Sequence, residues 1–155
     1  MKIQAIGLTA AFCFLAGGMC FAADPQVGTW KLNEAKSKLT PGRGKNTQVV
    51  YTDAMGGKVK ITTDGVDANG KPTHSEWTGK FDGKDYSVTG DLNADMRSYT
   101  KVDDRTLDFT VKKSGKVTVT GRVIVAVDGK SRTVTTSGTD ANGKKFQSTS
   151  FYDKQ

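Results

Sequence analysis

Thr106-Leu107-Asp108-Phe109-Thr110-Val111-Lys112-Lys113-Ser114-Gly115-Lys116-Val117-Thr118-Val119-Thr120-Gly121-Arg122-Val123-Ile124-Val125 reads as two strands joined by a tight turn. Leu107, Phe109 and Val111 alternate with Thr106, Asp108, Thr110 and Lys112; Val117, Val119, Val123 and Val125 alternate with Thr118, Thr120 and Arg122. A period of two puts the apolar set on one face of a sheet and the polar set on the other. Gly115 supplies the positive φ that a hairpin turn needs. Gly121 breaks the second limb, where a bend or bulge is expected.

The same unit recurs on both sides. Gly57, Gly70 and Gly83 lie thirteen residues apart, and Gly115, Gly129 and Gly143 lie fourteen apart. Stretches rich in Val, Thr, Ile, Tyr and Phe run between them. Strands are predicted at 27–32, 47–54, 58–67, 72–80, 84–89, 96–102, 105–113, 116–127, 131–138 and 145–153. Asp91-Leu92-Asn93-Ala94 and Asp103-Asp104 provide turns where no spaced Gly occurs, and 33–46 holds at most one helical turn and a basic loop. Successive hairpins of similar length describe an all-β, antiparallel up-and-down meander. Closure into a barrel of about 8–10 strands removes its exposed edges.

Residues 1–22 are set apart as an expected signal peptide. Lys2 precedes an uncharged stretch with Ala10, Ala11, Phe12, Phe14 and Leu15 at its centre, and Cys20-Phe21-Ala22 ends it with a cleavage-type tripeptide. The expectation is a periplasmic or secreted protein whose single domain spans 23–155. Both cysteines, Cys13 and Cys20, lie within the leader, so the mature chain has no disulfide. Removal of Lys2 leaves 22 basic residues against 16 acidic ones, a net charge of +6. That balance suits anionic partners such as an envelope component, and it also favours solubility. No Arg-rich run or aromatic ladder suggests nucleic acid.

An internal echo links 63–71 (Thr-Asp-Gly-Val-Asp-Ala-Asn-Gly-Lys) with 136–144 (Thr-Ser-Gly-Thr-Asp-Ala-Asn-Gly-Lys). Duplication and convergence on one turn chemistry both explain it.

Gly28-Thr29-Trp30-Lys31-Leu32 resembles the Gly-x-Trp signature on the first strand of lipocalins and the related fatty-acid carriers. The resemblance implies a structural role for Gly28 and Trp30 in closing the barrel base. Phe151-Tyr152-Asp153-Lys154 is similar to the closing strand of the fatty-acid carriers, where a Tyr and an Arg two residues before it hold a carboxylate. Tyr152 matches that Tyr, but Ser150 stands in the place of the Arg. The family's helical lid also has no room between Asn33 and Asn46. In strand order and these two end motifs the chain resembles an exported bacterial member of the lipocalin-like (calycin) barrels.

The residues expected to line the lumen and touch a guest are Tyr51, Ile61, Trp77, Tyr86, Phe109, Val123, Phe146 and Tyr152. Tyr86, Tyr152 and Trp77 add polar tips to an apolar wall. Such a wall serves equally as plain core. His74 is the sole histidine, with Glu76 on the same face of its strand; the pair is expected outside, in solvent. No metal set, nucleophile elbow or phosphate loop appears, so no catalytic residue, cofactor or metal is assigned. The expected function is binding of a small apolar or amphiphilic ligand. A filled barrel that engages the envelope through basic loops is the alternative, and enzymatic activity is left open.

Overall fold

The computed structural model describes residues 24–140 and 143–155; the expected leader lies outside the described residues. Ten strands follow one another: β1 (Gly28–Leu32), β2 (Lys45–Ala54), β3 (Lys58–Val66), β4 (Pro72–Gly79), β5 (Tyr86–Thr89), β6 (Met96–Lys101), β7 (Thr106–Lys113), β8 (Lys116–Val125), β9 (Ser131–Thr139) and β10 (Lys145–Lys154). Each pairs antiparallel with the next, and β10 returns to β1 through Trp30↔Lys154, Lys31↔Asp153 and Leu32↔Tyr152. The sheet is a closed up-and-down barrel. Residues 33–44, between β1 and β2, hold one 3-10 turn (Glu34–Lys36), capped by the Asn33 side chain accepting from the Lys36 N–H.

The spaced glycines take the expected backbone. Gly57, Gly70, Gly83, Gly115, Gly129 and Gly143 all have φ between +67° and +79°. The described residues of the two echo segments share their closing hydrogen bonds. Asp67 and Asp140 each accept from the N–H of the Lys four residues on, Lys71 and Lys144, through Oδ1, and each donates its own N–H to that residue's carbonyl.

Three local expectations are corrected. Gly83 does not sit in a tight hairpin, because β4 ends at Gly79 and β5 starts at Tyr86; Asp82 instead bridges to Thr100. Gly121 does not carry the bulge. The register slips between Val111↔Val119 and Lys112↔Val117, leaving Thr118 as the extra residue. Gly121 meets the Phe109 ring, which lies where a Cβ would stand. The bulge also overturns the reading of Val117, which pairs with outward Lys112 and is 55% exposed, while Val119 keeps the inward parity.

The alternation puts Trp30, Tyr51, Ile61, Trp77, Leu107 and Val123 inside, each at most 2% exposed. Turns 55–57 and 126–130 share one end of the barrel with the N-terminal segment; residues 33–44, 67–71, 90–95, 140, 143 and 144 share the other.

Candidate ligand site within the barrel

One end of the barrel is plugged by its own aromatic residues. The segment before β1 folds across it: Trp30 donates through Nε1 to the Gln26 carbonyl at 2.9 Å, and the Gln26 amide donates to the Arg105 carbonyl at 3.0 Å. Trp30 is fully buried, and Lys154 Nζ stands 5.0 Å from its ring centroid. Gly28 has φ +133°, and a Cβ there would come 2.6 Å from Lys154 Cε. The glycine thus lets the lysine stem pass. The rings continue around the plug. Trp77 meets Tyr99 edge-on at 4.9 Å and Tyr86 at 5.7 Å, and Tyr99 reaches Phe109 at 5.6 Å. Trp77 anchors its polar tip on the Arg97 carbonyl at 2.9 Å.

Arg132 lies among these rings. It faces inward at the start of β9, is 2% exposed, and pairs across the sheet with Tyr152. Its guanidinium carbon is 4.7 Å from the Trp30 and Tyr51 centroids and 5.1 Å from that of Tyr152. The ring faces offset part of the cost of burying the charge. They do not accept in-plane hydrogen bonds, and Nε and Nη1 have no protein acceptor. Burial pushes the Tyr51 phenol far above its ordinary range; neighbouring Tyr99 adds to this, while Arg132 opposes it. Tyr152 is raised in the same way, chiefly by burial and against the pull of Arg132, and its hydroxyl donates to the Asn46 carbonyl at 3.1 Å.

The other half of the lumen is less filled. Val134, Thr136 and Gly138 on β9, and Phe146, Ser148 and Ser150 on β10, share the inward parity of Arg132 and Tyr152 yet remain partly exposed. In a closed sheet, water reaches inward side chains through the end of the barrel. Thr136, Ser148 and Ser150 make this stretch of the inner wall one of small side chains. Residues 37–44 border this mouth, where Thr40 donates its N–H to Ser148 Oγ at 3.0 Å and the Arg43 guanidinium stacks 3.5 Å over the Phe146 ring. An open groove of about 330 Å³ lies beside it, lined by Val117–Thr120, Ser137–Thr139, Lys145 and Phe146.

The residues expected to line the lumen divide between the two halves. Tyr51, Ile61, Trp77, Val123 and Tyr152 are buried in one packed cluster, with Tyr86 and Phe109 against it. Phe146 stands apart at the mouth, beneath Arg43. Arg132, Tyr99 and Arg97 join the inner wall without having been expected there. Parity is the available signal for Arg132, since it lies two residues before inward Val134 on the same strand. The His74–Glu76 pair is on the outer face. His74 Nδ1 is 2.6 Å from Asp64 Oδ1, and Glu76 pairs with Lys60 at 2.7 Å.

No protein-family profile and no curated protein matches the chain. Among solved structures, a barrel described as EF1p2_mFAP2b bound to DFHBI matches with a TM-score of 0.51 and 14% identity. The match covers 86% of this chain and 97% of that one. A redesigned beta barrel, mFAP1, bound to DFHBI, aligns at a TM-score of 0.44 and 16% identity over 86% and 98% of the two chains. The first likeness shows the fold, a closed antiparallel barrel.

Proposed function

We propose that the protein is an exported, lipocalin-like carrier that takes a small apolar or amphiphilic guest into the partly filled half of its barrel. The supporting observation is the partial exposure of inward Val134, Thr136, Ser148 and Ser150 within a closed sheet. A guest entering there buries its body against Phe109, Val119 and Val134. It gains about 25 cal/mol per Å² of apolar surface, before ordering costs. One solved barrel of this fold is described as bound to DFHBI. Native mass spectrometry of protein purified from its own host is the test. A copurifying small mass released by organic solvent is expected. A bare polypeptide, together with no saturable uptake of a neutral lipophilic dye, would refute the reading.

A second reading draws on charge. At the open end the loops hold as many cations as acids, and the strand ends Lys45, Lys113, Lys116 and Lys145 tip the rim to an excess of cations. At the plugged end Asp24, Asp82, Asp85, Asp103, Asp104 and Asp128 nearly offset Arg105 and the lysines of the loops and strand ends there. Contact with an anionic envelope component through that rim would weaken steeply with salt in a vesicle-binding assay.

A further inference from the structure

Arg132 is buried with no counter-ion. No ion pair among the described residues includes it, and its guanidinium lies against the rings of Trp30, Tyr51 and Tyr152. Taking a guanidinium out of water costs several kcal/mol unless a partner charge and hydrogen bonds repay it. Stacking on aromatic faces returns part of that and leaves the in-plane donors unmet, as Nε and Nη1 are. Other inward cations differ: Lys154 donates through Nζ to the Pro25 carbonyl at 3.5 Å. Arg97 has an acid at hand, with its Nη2 3.6 Å from Asp91 Oδ2. Arg132 is therefore the side chain poised for an acceptor the protein does not supply.

The route to it has matching chemistry. The next inward residues toward the mouth are Ser150 on β10 and Val134 on β9, paired with each other, small and uncharged. Beyond them lies the partly exposed wall of Thr136, Ser148 and Phe146. The rim of the mouth is the end where cations outnumber acids, a field that draws anions inward.

We propose that Arg132 is the base of an anion subsite, so that the guest is an organic monoanion with an apolar body, bound head-first. Its oxyanion head (carboxylate, sulfonate or phosphodiester) accepts from Arg132 and from Ser150. Its body lies along Val134, Phe109 and Val119 toward Phe146. The proposal rests on the lumen reading above and specifies the guest's head.

Displacement of the neutral dye N-phenyl-1-naphthylamine from the mature protein by dodecanoate and by dodecan-1-ol tests it. The two competitors share a chain and differ in the head. Dodecanoate is expected to compete at least ten-fold more strongly than the alcohol. In Arg132→Met that preference should vanish, with a melting temperature equal to the parent's or higher. Dye binding with equal competition by acid and alcohol would overturn the anion subsite and leave the carrier reading standing. No saturable dye binding would remove both. A preference that survives Arg132→Met and disappears in Arg43→Gln would move the head to the rim and also overturn the proposal. Competition by inorganic phosphate alone, as strong as by dodecanoate, would mean a free-anion site and refute the amphiphile. Should Arg132→Met fail to fold, the acid–alcohol comparison in the parent still decides, with Arg132→Lys as the second variant. Lysine keeps the charge but loses the planar fork, so a partial loss of preference is expected.

Discussion

Arg132 covers one face of Trp30 with its guanidinium carbon 4.7 Å from the ring centroid, and the ring's N–H reaches the Gln26 carbonyl at 2.9 Å. This single indole ties the N-terminal segment, β1 and β9 together at the plugged end. Trp30→Ala removes a fully buried ring and frees Gln26, so a loss of about 3–5 kcal/mol is expected in urea denaturation. Trp30→Phe keeps most of the volume but leaves the Gln26 carbonyl without its donor, and should fall between the two.

The bulge in β8 makes neighbouring valines unequal. Val117→Lys should change stability by no more than about 0.5 kcal/mol, because Val117 already faces water. Val119→Lys sends an ammonium to the inner face beside Phe146 and should cost at least about 2 kcal/mol. Equal urea midpoints for the two variants would contradict the slipped register.

The strand plan is legible in the sequence because period-two alternation and spaced glycines act locally: the predicted 58–67 and 116–127 end within one or two residues of β3 and β8. The bulge is not legible. Thr118 as an extra residue keeps the same alternation in the string, and only pairing with β7 shows that Val117 has turned outward. The role of Gly121 is hidden for the same reason. The ring of Phe109 that occupies its inner side comes from the partner strand. Arg132 escapes a reading of the string because a charge at an inward position is costly, and only three rings from distant segments make it tolerable.

His74 gives the outer face a dependence on pH. The hydrogen bond with Asp64, helped by the Asp64 and Glu76 charges, raises the imidazole above its ordinary value of about 6.5. The fold therefore favours the protonated form. Its stabilisation is complete below about pH 6.5 and is lost as pH rises through the raised folded value. The melting temperature of the parent should exceed that of His74→Ala more at pH 5.5 than at pH 9. A pH-independent difference would show that Asp64 does not hold the charged ring.

The phenols set the alkaline limit. Tyr51 and Tyr152 are both raised, first by burial, so the fold favours their neutral forms. That contribution is intact below the free phenol value of about 10 and is lost as pH climbs toward the raised folded values. Ultraviolet difference titration should show these two phenols ionising only together with loss of the near-ultraviolet dichroism of the barrel. Tyr51→Phe and Tyr152→Phe should each push that loss to higher pH.

Ser150 separates a barrel with room inside from one already full. It is inward, partly exposed, and lies on β10 between mouth residue Ser148 and buried Tyr152. If the space beside Val134 is usable volume, Ser150→Phe fills it with a ring and gains apolar contacts, raising stability by about 0.5–2 kcal/mol. The same ring blocks the guest, so dye affinity should fall at least ten-fold. Gln147→Phe, one strand position from Phe146 but outward, should leave dye binding unchanged. Were the inner wall already close-packed, Ser150→Phe would instead overpack it and cost about 1–3 kcal/mol. The sign of the shift in the urea midpoint therefore tells usable lumen from solid core, whatever the guest is.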